Sequence, residues 1–297
     1  MTLGSLKESV IPDDAYMQNI RNLCTENHSW CRIYCKHNIT VFSRLTEASD
    51  IKMFKLVATL KDVSADTLFD TLMDSEYRKL WDKNMLESYE LCSINPNNDI
   101  GYYAHFTVRS FPAIRDRDFV LQRSWLQAHS EYMIANRSIF HKRFLQGLKD
   151  LACFLKPFFY LRQHIHALPP RKQYVRAISH LTSYIIRPCG SNECELIYIT
   201  QCDPRGKLPT WAVNKATQYV APRVIKRLIK ACQQYTAWKR RHQPEFKPWI
   251  YPEQCKLPTI NWDDILSTPD VAGDVTVDES NAMDITENGN GNEDDTE

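Results

Sequence analysis

Between Leu86 and His141 four β-prone runs, "SYELCSI", "IGYYAHFTV", "DFVLQRSWL" and "YMIANRSIF", are divided only by turns such as "NPNND" and "FPAIRDR". A parallel pair needs a crossover of about a dozen residues or more, and these connections are too short to supply one. The strands must therefore follow one another antiparallel, as a meander. Two further runs, "QYVRAISHLTSYIIRP" and "CELIYITQCD", flank the turn "CGSNE". Upstream, "WCRIYCKHNITVFSRL" reads as a hairpin about the turn "KHN", and "IKMFKLVATLKDV" as another strand. One large antiparallel sheet is the expectation.

Helical periodicity supplies the second layer. Pro12, Asp13 and Asp14 open a helix running to about Asn27, with Tyr16, Ile20 and Leu23 on one side. Ser64 is placed to cap a single helix through "SADTLFDTLMDSEYRKLWD", with Asp66 in its first turn. From about Pro209 to Trp238, Trp211, Lys215, Gln218, Ala221, Ile225, Leu228, Cys232 and Tyr235 step by three or four. Arg223, Lys226, Arg227 and Lys230 form the basic outer surface of that long helix, and Pro222 is expected to kink it. The segment 143–167 does not fit the strand cadence. Its Phe144, Leu145, Leu148, Leu151, Ala152 and Leu155 make an apolar helical face, stopped by Pro157. The fold class is α+β.

Charge is unevenly placed. Residues 263–297 hold twelve Asp and Glu and no Lys or Arg, which leaves 37 basic against 24 acidic residues in the rest. A body with a surplus of 13 positive charges favours anionic surfaces, and the acidic tail is expected to be disordered. Ten cysteines carry no Cys-x-x-Cys spacing, no signal peptide is visible, and no window of about eighteen apolar residues occurs. A reduced, cytosolic protein follows, and the sequons at Asn38 and Asn136 are read as chance. Enzyme motifs are missing: there is no Gly-x-Ser-x-Gly, P-loop or His-Glu-x-x-His. His164 and His166 are not read as a metal pair, Asp116 and Asp118 are read as turn residues, and "KRRH" at 239–242 as a solvated helix end. Neither catalysis, nor a metal or cofactor, nor nucleic acid is expected.

In "MDSEYRKLWDKN", residues 73–84, Arg78 and Asp82 are four apart and meet on one helix face. Spacing alone leaves two readings open, a solvated pair worth about 0.2–0.5 kcal/mol and an inward arginine awaiting an anion. That stretch, "IRDRDFVLQRSW" and "DPRGKLPTWAVNKATQYVAPRVIKRLIKACQQYTAWK" followed by "FKPWIYPEQ" resemble the START lipid-transfer domains, and among them the phosphatidylcholine-transfer subgroup. The resemblance covers roughly residues 10–142 and 168–258. Residues 1–9 are then an N-terminal tail, 10–258 the lipid-binding domain with 143–167 as an atypical insertion, and 259–297 an acidic tail.

What the resemblance implies is a helix-grip fold, a curved antiparallel sheet around a lipid tunnel closed by a long C-terminal helix. Arg78 would hold the lipid phosphate and Asp82 would orient Arg78. Family aromatics around the quaternary ammonium fall on Leu72, Tyr103, Phe119 and His180, with Trp81 and Thr182 among the headgroup and tunnel residues. An incomplete cage relaxes discrimination, so both phosphatidylcholine and phosphatidylethanolamine are expected ligands. Transient membrane contact is expected from Phe111, Pro112, Trp211, Pro222, Arg223, Lys226, Arg227 and Lys230. The implied protein is a monomeric, cytoplasmic, reversibly membrane-associated phospholipid carrier. The alternative is a lipid-responsive scaffold that binds a lipid without moving it.

Overall fold

The computed structural model describes residues 14–26, 28–36, 38–47, 49–105, 115–139, 173–206 and 210–259; in the stretches 210–212 and 214–222 only the backbone is described. Helix α1 (Asp14–Thr25) leads into β1 (Cys31–Lys36), β2 (Ile39–Thr46) and β3 (Ser49–Lys61). Two short helices follow, α2 (Ala65–Met73) and α3 (Ser75–Trp81). Then come β4 (Met85–Asn95), β5 (Asn98–His105), β6 (Asp116–Gln127), β7 (Tyr132–Ser138), β8 (Tyr174–Arg176), β9 (Ile178–Gly190) and β10 (Glu193–Asp203). Helix α4 (Thr210–Lys239) and a 3-10 turn at Pro252–Gln254 complete the described chain.

All ten strands form one sheet in the order β1-β2-β3-β10-β9-β7-β6-β5-β4, with neighbours antiparallel. The meander is as the short turns require. β8 is the exception, because it lies parallel to the start of β6. The run expected as one strand from Gln173 to Pro188 breaks at Ala177, whose N–H goes to the Asp118 carbonyl at 2.9 Å.

The helix expected from Ser64 to Asp82 is also two helices. Ser64 does cap the first, accepting from Thr67 N. At Asp74 the backbone turns extended (φ −75°, ψ 98°), and its carboxylate caps α3 by accepting from Tyr77 N. An aspartate satisfies orphan N–H groups best at an N-cap, so it restarts the helix instead of continuing it. Asp116 and Asp118, read as turn residues, stand in β6. Asp118 is fully buried and takes a two-pronged ion pair from Arg176, at 2.9 and 3.0 Å, which holds β8 against β6. Burial forces such a carboxylate to find charged donors, and the spacing of the acids alone cannot reveal that.

Period-two alternation divides the sheet into two faces. On one, Phe54, Leu56, Ala58, Leu60, Ile186 and Leu196 pack with α2 and α4 through Leu68, Phe69, Ile225 and Leu228. On the other, Met53, Leu181, Ile185, Ile197 and Ile199 receive Met17, Ile20 and Cys24 of α1. Lys55 secures that second contact. It is 1% exposed, donates to the α1-terminal carbonyls of Cys24 (3.2 Å) and Glu26 (2.7 Å), and sits 4.7 Å from the Trp30 ring centroid. Burial lowers its pKa, with the nearby Cys24 acting in the opposite sense. A cation at a helix C-terminus is favourable on dipole grounds as well. Lys55→Met should therefore loosen α1 and lower the free energy of unfolding by about 1.5–3 kcal/mol, measured by urea titration.

Candidate functional site

Helix α3 carries most of the stretch "MDSEYRKLWDKN". Its inner side carries Arg78, and its C-cap is Asp82, whose N–H bonds to the Arg78 carbonyl at 3.0 Å. Arg78 Nε donates to Asp82 Oδ2 at 3.2 Å, and the Tyr103 hydroxyl donates to the same oxygen at 3.1 Å. The other carboxylate oxygen accepts the Asn84 N–H at 3.3 Å. Asp82 is 8% exposed, so the pair is not a solvated surface feature. The guanidinium lies 5.2 Å from the Tyr103 ring and 5.8 Å from Trp81, within cation–π range of both. Burial works against the charge on Arg78, but the oxygens of Tyr103 and Asp82 outweigh it and its pKa is raised. Burial also raises the Tyr103 pKa, against the pull of Arg78, which keeps the phenol protonated as a donor.

Strand register assembles the rest. Tyr103 pairs with Phe119 across β5 and β6, with ring centroids 6.4 Å apart. Thr182 and Tyr184 of β9 face Thr200 and Tyr198 of β10. The Tyr184 and Tyr198 rings are 5.0 Å apart, and the Thr182 and Thr200 hydroxyls 3.0 Å apart, with Cys202 Sγ 3.6 Å from Thr182 Oγ1. Tyr184 hydrogen-bonds with Arg78, so a line of hydroxyls leads away from the guanidinium along two strands.

These residues share an unusual state. Alternation leaves Gly101, Tyr103, Phe119, Leu121, Arg123, Thr182, Tyr184 and Tyr198 half-buried, while the opposite face of the same strands is closed by Ile100, Tyr102, Val120, Leu181 and Ile185. The Arg78 side chain keeps 28% of its surface uncovered. Yet loss of water is the largest influence on Arg78, Tyr103, Tyr184 and Tyr198. The indole Nε1 of Trp81, beside Arg78, is buried with no hydrogen-bond acceptor among the described residues.

Five of the sequence-derived site residues thus come together: Arg78, Trp81, Asp82, Tyr103 and Phe119. Thr182 joins through the hydroxyl line, and His180 is half-buried at the register shift between β9 and β10. Leu72 is 5% exposed and belongs to the apolar cluster with Leu68, Ile225 and Leu228, against which Trp81, Tyr184 and Tyr198 pack. Arg223, Lys226, Arg227 and Lys230 are exposed on α4, whereas Ile225, Leu228, Cys232 and Tyr235 are buried beneath it. The helix runs through Pro222 without a break in its assignment. The side chains of Trp211 and Pro222 are not described, and Phe111, Pro112 and the segment 143–167, with His164 and His166, lie outside the described residues. Among the described residues no group of His, Cys, Asp and Glu is placed to hold a metal, and no helix is long and apolar enough to cross a membrane.

Sequence reasoning missed a second half-buried arginine on this sheet face. Arg123 forms a fork with its cross-strand neighbour Asp99, at 3.1 Å from Nε and 2.5 Å from Nη2, and reaches the Met73 carbonyl at the end of α2 at 3.4 Å. The missed tyrosines 184 and 198 alternate in step with Thr182 and Thr200, but only the pairing of β9 with β10 shows that they meet.

Burial lowers the pKa of His180, with Asp203 drawing it up and Arg205 pushing it down. The folded chain therefore binds fewer protons here than the unfolded chain between the lowered value and about 6.5. Stability should fall as pH drops through that window, and His180→Gln should flatten that part of the slope in urea titrations at stepped pH.

The family model for the START domain matches residues 11–150 and 164–238. START domain-containing protein 10 of Mus musculus is 37% identical over 257 residues, covering 86% of this chain and 79% of the relative. Phosphatidylcholine transfer protein of Mus musculus is 24% identical over 208 residues, covering 69% of this chain and 85% of the relative. The crystal structure of human STARD10 superimposes with a TM-score of 0.76 at 34% identity, covering 90% of this chain and 98% of that one.

Proposed function

Because the chain belongs to the START domain family, we propose that it binds one phospholipid inside the sheet and carries it between membranes. The observation that carries this reading is the desolvated Arg78, held by Asp82 and Tyr103 on a sheet face that side chains leave partly uncovered. Removing a two-chain phospholipid from a bilayer into water exposes about thirty methylenes, roughly 24 kcal/mol in all. A protein that offers apolar walls in place of water lowers that barrier without covalent chemistry. The name of the phosphatidylcholine transfer protein agrees with such a cargo.

The phosphate sets the opposite requirement, because a buried anion needs charge-assisted donors. Arg78 commits Nε to Asp82 and a further contact to Tyr184, and offers its remaining N–H groups to a phosphate. Trp81 Nε1 adds a donor with no other acceptor. Tyr103 and Phe119 offer ring faces to the amine. Leu72 and the desolvated His180 add no further cage ring of that type. We therefore assign both choline and ethanolamine headgroups to the site. The exposed Arg223, Lys226, Arg227 and Lys230 suit reversible docking of α4 on an anionic surface, at about 1 kcal/mol per charge.

The test is transfer of fluorescent phosphatidylcholine and phosphatidylethanolamine between vesicles. Arg78→Leu leaves Asp82 buried and alone, so the paired variant Arg78→Met/Asp82→Leu is the better probe of anchoring. Transfer should fall at least about tenfold with the fold retained; transfer at the original rate would sink the assignment of Arg78. Trp81→Phe should retain the ring and reduce transfer by a few fold. Lys226→Glu/Arg227→Glu should weaken sedimentation with anionic vesicles by about tenfold or more, leaving bound lipid unchanged.

A further inference from the structure

Asp74 stands where the two short helices meet and serves both sides of the junction. Its Oδ1 accepts the Tyr77 N–H at 3.1 Å and closes the first turn of α3. Its Oδ2 accepts from Lys239 Nζ at 2.8 Å and from the Tyr235 hydroxyl at 3.1 Å, both near the end of α4. Asp74, Tyr235 and Lys239 are buried, at 4%, 3% and 7% exposure. The Tyr77 hydroxyl adds a second link, donating to the Ala231 carbonyl at 2.8 Å, and its ring meets Tyr235 edge-on at 5.1 Å. One turn earlier, Asp70 accepts from Lys247 Nζ at 2.6 Å and Trp249 Nε1 at 2.8 Å, which fastens the segment after α4 to α2.

Helix α3 has only seven residues, and Arg78 is the fourth. The cap that starts this helix is therefore shared with the end of α4. Resting on the carrier reading above, we propose that Asp74 is a positioning residue that couples the placement of Arg78 to the seating of α4 through Lys239 and Tyr235. If Lys239 leaves, a carboxylate remains buried with its charge uncompensated, which is a strongly unfavourable state. The cap of α3 and the end of α4 therefore shift together. A phosphate that fixes Arg78 favours the seated α4, and by reciprocity the seated α4 favours phosphate binding. A merely structural anchor would stabilise the fold to the same extent with or without lipid.

Lipid dependence is accordingly the readout. Hydrogen exchange is followed in the wild type and in Lys239→Met, each empty and after loading from phosphatidylcholine vesicles, with occupancy counted by native mass spectrometry. In the wild type, loading should slow exchange over residues 75–82 and 225–239 together. In Lys239→Met, the slowing over 75–82 should persist, while that over 225–239 should shrink by about fivefold or more. An occupied Lys239→Met in which both segments slow as in the wild type overturns the coupling. Should that variant not fold, Tyr235→Phe keeps the ring and removes one hydrogen bond. An intermediate loss of lipid response supports the proposal, and a full wild-type response overturns it. If no phospholipid is found in any native spectrum, the carrier reading fails instead.

Discussion

A guanidinium withdrawn from water can persist only where its charge is answered, and the interior of this protein is arranged around that requirement. Asp82 answers Arg78 from within the same short helix, and the Tyr103 hydroxyl completes the carboxylate's hydrogen bonds. A pair of this kind contributes little to stability, because desolvation offsets most of the attraction. What it provides is a pre-oriented cation with spare donors on a face that is otherwise apolar and aromatic. An apolar substitution of both partners would make an equally good core and a useless anion site.

Leaving one face of a sheet partly uncovered removes burial that the fold would otherwise use. The opposite face makes up for this. Helix α1 closes it behind β3, β7, β9 and β10, and Leu91, Ile100, Tyr102 and Val120 close it behind β4 to β6. The half of the front face under α2 and α4 is also solid, filled by Phe54, Leu56, Leu196, Ile225 and Leu228. Among the described residues, those left half-buried on this face include the ones around Arg78.

Buried carboxylates recur wherever elements must be held without apolar packing. Asp70 and Asp74 bind the end of α4 and the segment beyond it, Asp99 pairs with Arg123 under the end of α2, and Asp118 holds β8 through Arg176. Each uses at least one cationic donor, as a desolvated carboxylate must. The first three involve α2, α3 and α4 or the segment after α4, and the fourth joins β8 to β6.

The antiparallel meander, the hairpin at the start, the Ser64 cap and the long amphipathic helix were legible in the sequence, because turn length, period-two runs and three-to-four spacing are local properties; the pairing of β3 with β10 was not. Legible too was the meeting of Arg78 with Asp82, which helical geometry alone requires. Whether that pair faced solvent or the interior was not legible, since four-residue spacing is indifferent to what lies across from it. Asp74 also bonds Lys239 and Tyr235, more than 160 residues away, and Asp118 in β6 pairs with Arg176 of β8. Local sequence determined the elements; only their packing decided which charges were buried together, because burial depends on residues far apart in the chain.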